Sequence, residues 1–577
     1  MECNYYKNQK ICKQNQSIHI NLYCKYKKCD YFQKKQMLKI SFMKGLSMNM
    51  KNLFLLIASL GMMQVSIAKT CYVAPDGSDT NDGLTPLAAF KSVQKAVDAM
   101  NTGDSAILTA GVYKISERIN ISKAGTPGSR FFLGTRGTDR AKLDFSSQSK
   151  DDNSQGIRLT GNYWTIKGLQ VHAAGDNGIL IENPKDPEDD TKYLTNQGSY
   201  NTIEWCVIDS CNDAGLQLKR YAAHNNIINC DSYHNWDEKT DGGNADGFAP
   251  KLTVGTDNYF YGCRAWENSD DGWDTYIKKE ASIVPTIITE YCICYRNGYK
   301  YGKSKSGNGN GFKMGSDEYK SNFIARHCLS VNNLAKGFDQ NHNAGEMTMI
   351  NCSAWGNLKS EFYFKETSDA LTIKNCIGIG ARLNKDLITS GTYESNVWEA
   401  SITASEFESN NVSDVLAPRN SDGTLSAKTL SFLKPKTGSK YVNKGVNAGL
   451  AFSSTAPDLG WIEVGLDPGP DKSRFTTAAR QSFRTVSKSG DLIGGSHTVL
   501  PNITKVNFIT SSAGNLSIRL YNLAGEMVAD LGSRHFSAGQ NSQLINMNKF
   551  NSGMYVCELS YSGSDGIKTD RLKLVKN

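Results

Sequence analysis

Seven cysteines recur at intervals of 24 to 36 residues through the middle of this 577-residue chain. Each lies in a similar phrase, such as NTIEWCVIDS or MTMINCSAWGN, in which apolar and polar residues alternate toward an asparagine. Such alternation predicts a short β-strand. A strand-only repeat of roughly this length predicts a solenoid of stacked parallel strands, that is, a parallel β-helix. The repeated cysteines are Cys206, Cys230, Cys263, Cys292, Cys328, Cys352 and Cys376.

The repeat places these cysteines inside the predicted coils, where they act as small apolar residues, rather than in disulfides. Eleven of the fifteen cysteines follow Ala68, and an odd number in an exported chain cannot all be paired. An earlier copy of the phrase, NYWTIKGLQVHA, places Gly168 in the cysteine position. We therefore expect a column of stacked thiols along the interior.

A second marker fixes how the predicted coils stack. Nine residues after several of the cysteines, a glycine is followed by an apolar residue, as in Gly272-Trp273. In two longer coils the pair comes later, at Gly247-Phe248 and Gly311-Phe312, which indicates inserted loops and a binding face. The residue after the glycine is expected to point inward and the next one outward. The outward column then contains Gln217, Ala249, Asp274, Lys313, Asp339 and Tyr363.

This register brings four acidic residues together. Neighbouring coils lie about 4.8 Å apart, so Asp246 is beside Asp271, with Asp270 and Asp274 on the same turn as Asp271. Four carboxylates this close repel one another unless a cation holds them. An all-oxygen ligand set rich in carboxylates favours Ca²⁺ over Zn²⁺ and over Mg²⁺. The alternative is a set of solvated turn aspartates.

Lys313 follows the loop GNGNG and lies one coil beyond Asp274 in the same register. An outward lysine is ordinarily a solubilising surface residue. Here, carboxylates alone would keep the amine protonated, whereas a bound Ca²⁺ offsets them and favours the free amine. A neutral lysine beside a metal is a usable general base.

The N-terminal end of the chain does not resemble the rest. Residues 1–47 lack periodicity and carry ten lysines against two acids, so we expect a spurious or disordered extension. Residues 48–68 combine Lys51, an apolar stretch and a small-residue cleavage site, which is typical of a secretory signal peptide, with Met43, Met48 or Met50 as the true start. Without 1–47, basic and acidic residues balance at 55 each (65 − 10 and 57 − 2), so charge gives no support to nucleic-acid binding.

Three motifs resemble one known family. ADGFAPKLTVG, CRAWENSDDGWDTY and GNGFKMG are similar to motifs of the family-nine polysaccharide lyases, calcium-dependent pectate lyases on a right-handed parallel β-helix. The likeness covers roughly residues 70–470, and we assign 69–470 to the lyase domain. The resemblance implies Lys313 as the catalytic base, and it departs from the family pattern at Pro250. The implied Ca²⁺ ligands are Asp246, Asp270, Asp271 and Asp274.

The resemblance also implies β-elimination on polygalacturonate, an acidic plant polysaccharide, giving 4,5-unsaturated oligogalacturonides. Three alternatives stay open: a rhamnogalacturonan lyase using the same elimination, a glycoside hydrolase, which needs a carboxyl acid/base pair, and a non-catalytic polysaccharide-binding β-helix. Residues that can contact other sugar carboxylates are Arg264, Lys278, Arg296, Lys300 and Lys336.

The C-terminal segment resembles a second family. Residues 495–577 carry alternating strands and a GMY turn, and they look like the small sorting β-sandwich of the type IX secretion system. An ordinary carbohydrate-binding sandwich is the alternative. Residues 471–494 are expected to be a linker. We therefore expect an exported monomer, secreted or attached at the cell surface, that engages the secretion machinery and has no membrane span in the mature chain.

Overall fold

The computed structural model describes residues 68–470 and 496–576 with short gaps, and the predictions for 1–47, 471–494 and almost all of 48–68 lie outside it. The gaps are 190–191, 195, 280–282, 316–318, 381–385, 467, 501–502, 511–512, 522–526, 538, 547–549, 551–552 and 565.

Short parallel strands stack into three long sheets over residues 70–399, so the predicted parallel β-helix is confirmed. Sheet 1 contains Thr70–Val73, Ser105–Leu108, Phe131–Gly134, Trp164–Lys167, Thr202–Glu204, Asn226–Ile228, Asn258–Tyr261, Thr286–Glu290, Asn322–Arg326, Glu346–Ile350, Ala370–Lys374 and Thr392–Glu394. Sheet 2 contains Gly111–Lys114, Ala141–Asp144, Leu169–His172, Val207–Asp209, Asp231–Tyr233, Arg264–Trp266, Ile293–Tyr295, Leu329–Val331, Ser353–Trp355, Ile377–Ile379 and Val397–Glu399. Sheet 3 contains Ile119–Ile121, Ile157–Leu159, Ile179–Glu182, Leu216–Lys219, Phe248–Pro250, Trp273–Asp274, Phe312–Lys313, Lys336–Asp339 and Ser360–Tyr363.

The repeated cysteines occupy the turn from sheet 1 to sheet 2 and point inward. All eleven cysteines of the described residues are free and buried, which confirms the interior column. The Sγ–H of Cys230, for example, donates to the carbonyl of Ile203 on the preceding coil at 3.4 Å. Burial raises the pKa of most of these thiols, as at Cys211, Cys230 and Cys292, which keeps them neutral as apolar fillers.

Gly168 does not occupy the cysteine position, and that prediction is wrong by one residue. Lys167 pairs with Glu204 and Gln170 with Val207, so Leu169 aligns with Cys206. Gly168 instead occupies the left-handed turn position before it, with φ = 72°. Glycine adopts such a conformation without a steric cost, which explains its presence there.

Two further columns run along the interior. The residue after each marker glycine is buried, and the stacked pairs run from Leu216–Phe248 to Phe338–Phe362 as the register predicts. Ring centroids in this column are 4.6 to 5.1 Å apart. At the turn from sheet 2 to sheet 3, each buried asparagine donates its Nδ2–H to the Oδ1 of the next at 2.8 to 3.0 Å. This ladder contains Asn235, Asn268, Asn297, Asn333 and Asn357.

An amphipathic helix covers the first coils. It spans Val93–Ala99, begins at the cap Ser92, whose hydroxyl accepts from Lys95 N–H, and buries Val93, Ala96 and Val97. Other short elements are the 3₁₀ helix Pro86–Ala88 and the hairpin of Tyr299–Lys300 with Ser304–Lys305. No helix in the described part of the chain has the length and apolar character needed to cross a bilayer.

Residues 404–464 form a strap across the outer faces of sheets 1 and 2. The strap buries Phe432 and Trp461 in a second apolar cluster with Tyr259, Ile293 and other outward residues of those sheets. The indole Nε1–H of Trp461 donates to the Phe432 carbonyl at 2.7 Å. Its short helices are Ala404–Glu406, Val412–Asp414 and Ala427–Ser431. Sheet 3 is absent from this cluster.

The C-terminal segment forms two antiparallel sheets, and the predicted small sandwich is confirmed. One sheet contains Ser496–Leu500, Ile503–Thr510 and Gly539–Asn546. The other contains Gly514–Tyr521, Met527–Phe536, Gly553–Gly563 and Gly566–Lys576. Their shared core joins Ile545 of the first sheet to Leu516, Ile518 and Leu559 of the second.

Candidate active site

Three of the four predicted acids converge at the entrance to sheet 3. Oxygens of Asp246, Asp270 and Asp271 lie within 4.8 Å of one another, and all three residues are buried. The pairing of Phe248 with Trp273 sets Asp246 beside Asp271 on the next coil, which confirms the predicted stacking. That these oxygens bind a metal remains a prediction.

The two inserted loops position the acidic cluster. Asp270 accepts backbone N–H donors from Asn244 at 2.9 Å and from Asn308 at 2.6 Å, one from each loop. Asp271 Oδ1 accepts the backbone N–H of Asn310 at 2.7 Å and its side-chain Nδ2–H at 2.9 Å. Because the loops hold both oxygens of Asp270 and one oxygen of Asp271, these two carboxylates have a fixed geometry.

A glycine is required where the second loop approaches Asp270. Gly307 has φ = 54°, and a Cβ atom there would lie 2.3 Å from the Ser269 carbonyl oxygen and 2.9 Å from Asp270 Oδ1. A side chain would therefore push the loop off the carboxylate. The GNGNG loop therefore packs directly against the acidic cluster.

Lys313 lies beside the acids, in register with Asp274 on the preceding coil. Its Nζ is 3.2 Å from Asp271 Oδ2 and 3.5 Å from Asp274 Oδ1, and its side chain is 11% exposed. The lysine therefore faces the carboxylates and is not an ordinary surface residue.

Asp274 is held by two lysines and lies outside the converging triad. Its Oδ2 is 3.2 Å from the Nζ of Lys251, which also binds Asp246 Oδ2 at 2.7 Å. Lys251 is almost fully buried and follows directly on the strand Phe248–Pro250. It was not among the predicted site residues, because a lysine just after a strand carries no signal of its own.

Burial and mutual repulsion control the protonation of this cluster. Burial raises the pKa of Asp271 to about 7, with Lys313 opposing the rise and the neighbouring acids adding to it. Burial likewise raises the pKa of Asp246, against Lys251. Burial alone would raise the pKa of Asp274, but Lys313 and Lys251 outweigh it and lower that pKa. Burial would lower the pKa of Lys313, yet the four carboxylates raise it above its usual range.

The residues present fit a hard divalent cation. The ligand candidates are all carboxylate oxygens, and Asp271 Oδ2 is buried without a hydrogen bond among the described residues. When all four carboxylates are ionised they exceed the two ammonium groups by two charges, which one divalent ion balances. An uncompensated charge of this size in a buried site is costly, so a cation here is physically favoured.

The predicted sugar contacts divide into two groups. Arg264 is not available, because it is buried in an ion pair with Asp231 at 2.8 Å and donates to the Ala417 carbonyl of the strap. Arg296 contacts Glu267 and Gly302, and the Nζ of Lys300 lies 3.7 Å from the centre of the Trp236 ring. Lys336, by contrast, lines a groove with Lys313.

Fold and site together define a parallel β-helix protein with an acidic, lysine-bearing groove on the outer face of one sheet. Residues 71–380 match the family described as "Pel9A-like, right handed beta helix region". The chain belongs to this family, and the handedness predicted from the resemblance is confirmed. Residues 498–572 match the family described as "Secretion system C-terminal sorting domain", so the chain carries a domain for export through that machinery.

Individual relatives agree with this assignment. Pectate lyase L of Dickeya dadantii is 32% identical over 414 residues, covering 69% of this chain and 91% of the relative. Pectate lyase L of Paenibacillus polymyxa is 33% identical over 406 residues, covering 66% and 84%. The crystal structure of pectate lyase Pel9A is similar with a TM-score of 0.61 and 32% identity, covering 69% of this chain and 97% of that one.

Proposed function

We propose that this chain is a pectate lyase that cleaves polygalacturonate by β-elimination. The observation that carries the proposal is the position of the Lys313 amine, 3.2 Å from Asp271 and 3.5 Å from Asp274, at the edge of the converging acids. Membership of a family whose named relatives are pectate lyases supports the same reaction class.

In the proposed reaction, Lys313 removes the hydrogen on C5 of a galacturonate residue. The electrons of the C5–H bond form the C4=C5 double bond while the C4–O4 bond breaks. The O4 oxygen of the leaving sugar takes a proton from water, and the resulting hydroxide removes the proton from Lys313. The base is thereby regenerated, and no water is added across the bond. The C5 hydrogen is acidic because it lies α to the carboxylate.

We propose Asp246, Asp270, Asp271 and Asp274 as the residues that hold Ca²⁺. When bound, the ion would neutralise the sugar carboxylate and so stabilise the negative charge that develops during proton removal. A positive charge among the acids also counters their effect on Lys313, which then releases its proton more readily. Lys251 keeps Asp246 and Asp274 in place from the buried side.

The proposal has a direct test in the ultraviolet absorbance of the unsaturated product. Purified protein is incubated with polygalacturonate and with rhamnogalacturonan, each with added Ca²⁺ and with chelator. We expect absorbance to rise on polygalacturonate with Ca²⁺ and to stop with chelator. Cleavage without a double bond would indicate a glycoside hydrolase. Elimination on rhamnogalacturonan alone would mean that this polymer, and not polygalacturonate, is the substrate. Binding without turnover would indicate a non-catalytic protein.

We also propose that the chain acts outside the cell as a monomer. The sorting domain supports export, and the predicted signal peptide at 48–68 supplies the first step of that route. Cell fractionation combined with gel filtration of the exported protein tests location, attachment and oligomeric state together.

A further inference from the structure

A groove extends from the acidic cluster along the outer face of sheet 3. It has a volume of about 360 Å³ and is lined by residues from four successive coils. Tyr276 and Lys313 line its end nearest the acids, Lys336 its middle and Lys359 its far end. Because the lining residues follow the stacking direction, the groove runs along the axis of the β-helix and suits an extended polymer.

Lys336 is held in this groove by its own coil and by the two neighbouring coils. Its backbone N–H donates at 3.3 Å to Oδ1 of Asn310, the residue of the preceding coil that positions Asp271. Its Nζ donates to Asp339 Oδ1 at 2.9 Å and lies 3.8 Å from the centre of the Tyr363 ring. The ammonium group is therefore oriented before any ligand binds, while 22% of the side chain remains exposed.

Lys359 extends the positive charge by one coil. Its backbone N–H donates to the Ala335 carbonyl at 2.8 Å, which places it next to Lys336 along the axis. Lys359 is exposed and has no ion pair within the described residues. Lys313, Lys336 and Lys359 lie on three consecutive coils, with Lys336 aligned with Asn310 and Lys359 just before the strand Ser360–Tyr363.

We infer that Lys336, assisted by Lys359, binds the carboxylate of the sugar next to the one that is cleaved. This inference rests on the proposed function and deepens it, because it names a recognition site outside the acidic cluster. An ammonium group has three N–H donors, so Lys336, oriented by Asp339, keeps donors for a charge-assisted hydrogen bond to a sugar carboxylate. The Lys336 amine pairs with Asp339 and makes no ion pair with the four acids among the described residues, so we assign it to substrate binding.

The inference predicts a preference between the two candidate polymers. In polygalacturonate every neighbouring sugar carries a carboxylate, whereas in rhamnogalacturonan the neighbour is a neutral rhamnose. A site that binds this carboxylate should lower KM for polygalacturonate and leave kcat little changed. High salt weakens the contact, since the groove is open to solvent.

The test is steady-state kinetics of Lys336→Gln on both polymers. On polygalacturonate we expect KM to rise by about ten- to a hundredfold, with kcat changed little. Lys336→Arg should recover most of the affinity, and Lys320→Gln, an exposed lysine paired with Asp369 before a sheet 1 strand, should behave like the parent. An active parent enzyme whose KM is the same in Lys336→Gln would overturn the inference. Equal melting temperatures of the variants show that the fold is kept.

A binding measurement separates this inference from the proposed function. Calorimetric titration of oligogalacturonate into Lys313→Ala and into Lys313→Ala/Lys336→Gln reports the contact without any turnover. Weaker binding by the double variant supports the site even if the parent cleaves neither polymer. Equal binding by the two proteins rejects the site even if the parent is an active lyase.

Discussion

The two faces of sheet 3 follow opposite rules although adjacent residues of the same strands form them. The inward face repeats one type of residue, and Phe248, Trp273, Phe312 and Phe338 stack ring on ring. The outward face changes at each coil, from Ala249 through Asp274, Lys313 and Asp339 to Tyr363. The inward face meets the same neighbours in every coil and is constrained by packing, whereas the outward face is free to carry chemistry. Sheets 1 and 2 lose this freedom in part, because the strap covers them.

Replacing Lys313 should give the largest effect on activity, because it removes the proposed base from the outward face of sheet 3. Removing a general base lowers kcat by roughly a thousandfold, so we expect Lys313→Ala to be nearly inactive even with added Ca²⁺, which replaces the positive charge lost beside Asp271 and Asp274. Lys320→Ala is the matched control. Residual activity above a tenth of the parent's would rule out Lys313 as the base.

Replacing the neighbouring residue, Phe312, should instead reduce stability, because it removes one ring from the stacked column on the inward face of sheet 3. Its ring lies 5.1 Å from Trp273 and 4.9 Å from Phe338, measured between centroids, and is fully buried. Phe312→Ala leaves a cavity and should reduce the free energy of unfolding by about 3–5 kcal/mol. Urea unfolding measures this, with Leu358→Ala as a control because that side chain is 50% exposed. A loss no larger than the control's would mean that the column does not support the fold.

Lys251→Met should affect both stability and cation binding, because it removes the buried positive charge that pairs with Asp246 and Asp274. Breaking a buried ion pair from one side costs about 3 kcal/mol, so the calcium-free variant should melt well below the parent. Added Ca²⁺ should recover more stability in the variant than in the parent, since Asp246 and Asp274 lose their internal counter-charge. Lys251→Arg keeps the charge and controls for shape. Identical melting with and without Ca²⁺ in both proteins would contradict this role.

Glu361 should give an effect that depends on pH and is smaller, per pH unit, than the stability losses above. It occupies the position of the marker glycine, accepts from Asn357 at the end of the asparagine ladder, and burial raises its pKa to about 8. The folded chain thus keeps a proton that the unfolded chain loses above its ordinary pKa, near 4.5. Stability should fall by up to about 1.4 kcal/mol per pH unit between pH 5 and 8 through this group. Thermal melts of Glu361→Gln across this range should show a flatter dependence, and an equally steep one would remove Glu361 as its source.

Much of this arrangement was predictable because a solenoid converts sequence spacing into position. The glycine markers alone set Asp246 beside Asp271 and Asp274 beside Lys313. The contribution of Lys251 to the site was not predictable, since a lysine just after a strand carries no signal of its own. The burial of Arg264 depends on residue 417 of the strap, 153 residues away and without any periodic pattern. Gly168 was misplaced because a turn glycine and an interior small residue look alike in one copy of a repeat.

Calorimetric titration with Ca²⁺ tests the central claim most directly, because the claim is that the acids on sheet 3 form one divalent-cation site. The parent protein should bind one Ca²⁺ per chain, and Asp271→Asn should lose most of that affinity because it neutralises a fully buried member of the cluster. The Cys352→Ala variant, altered on the interior column, should bind as the parent does. Absence of binding by the parent, or unchanged binding by Asp271→Asn, would contradict the account.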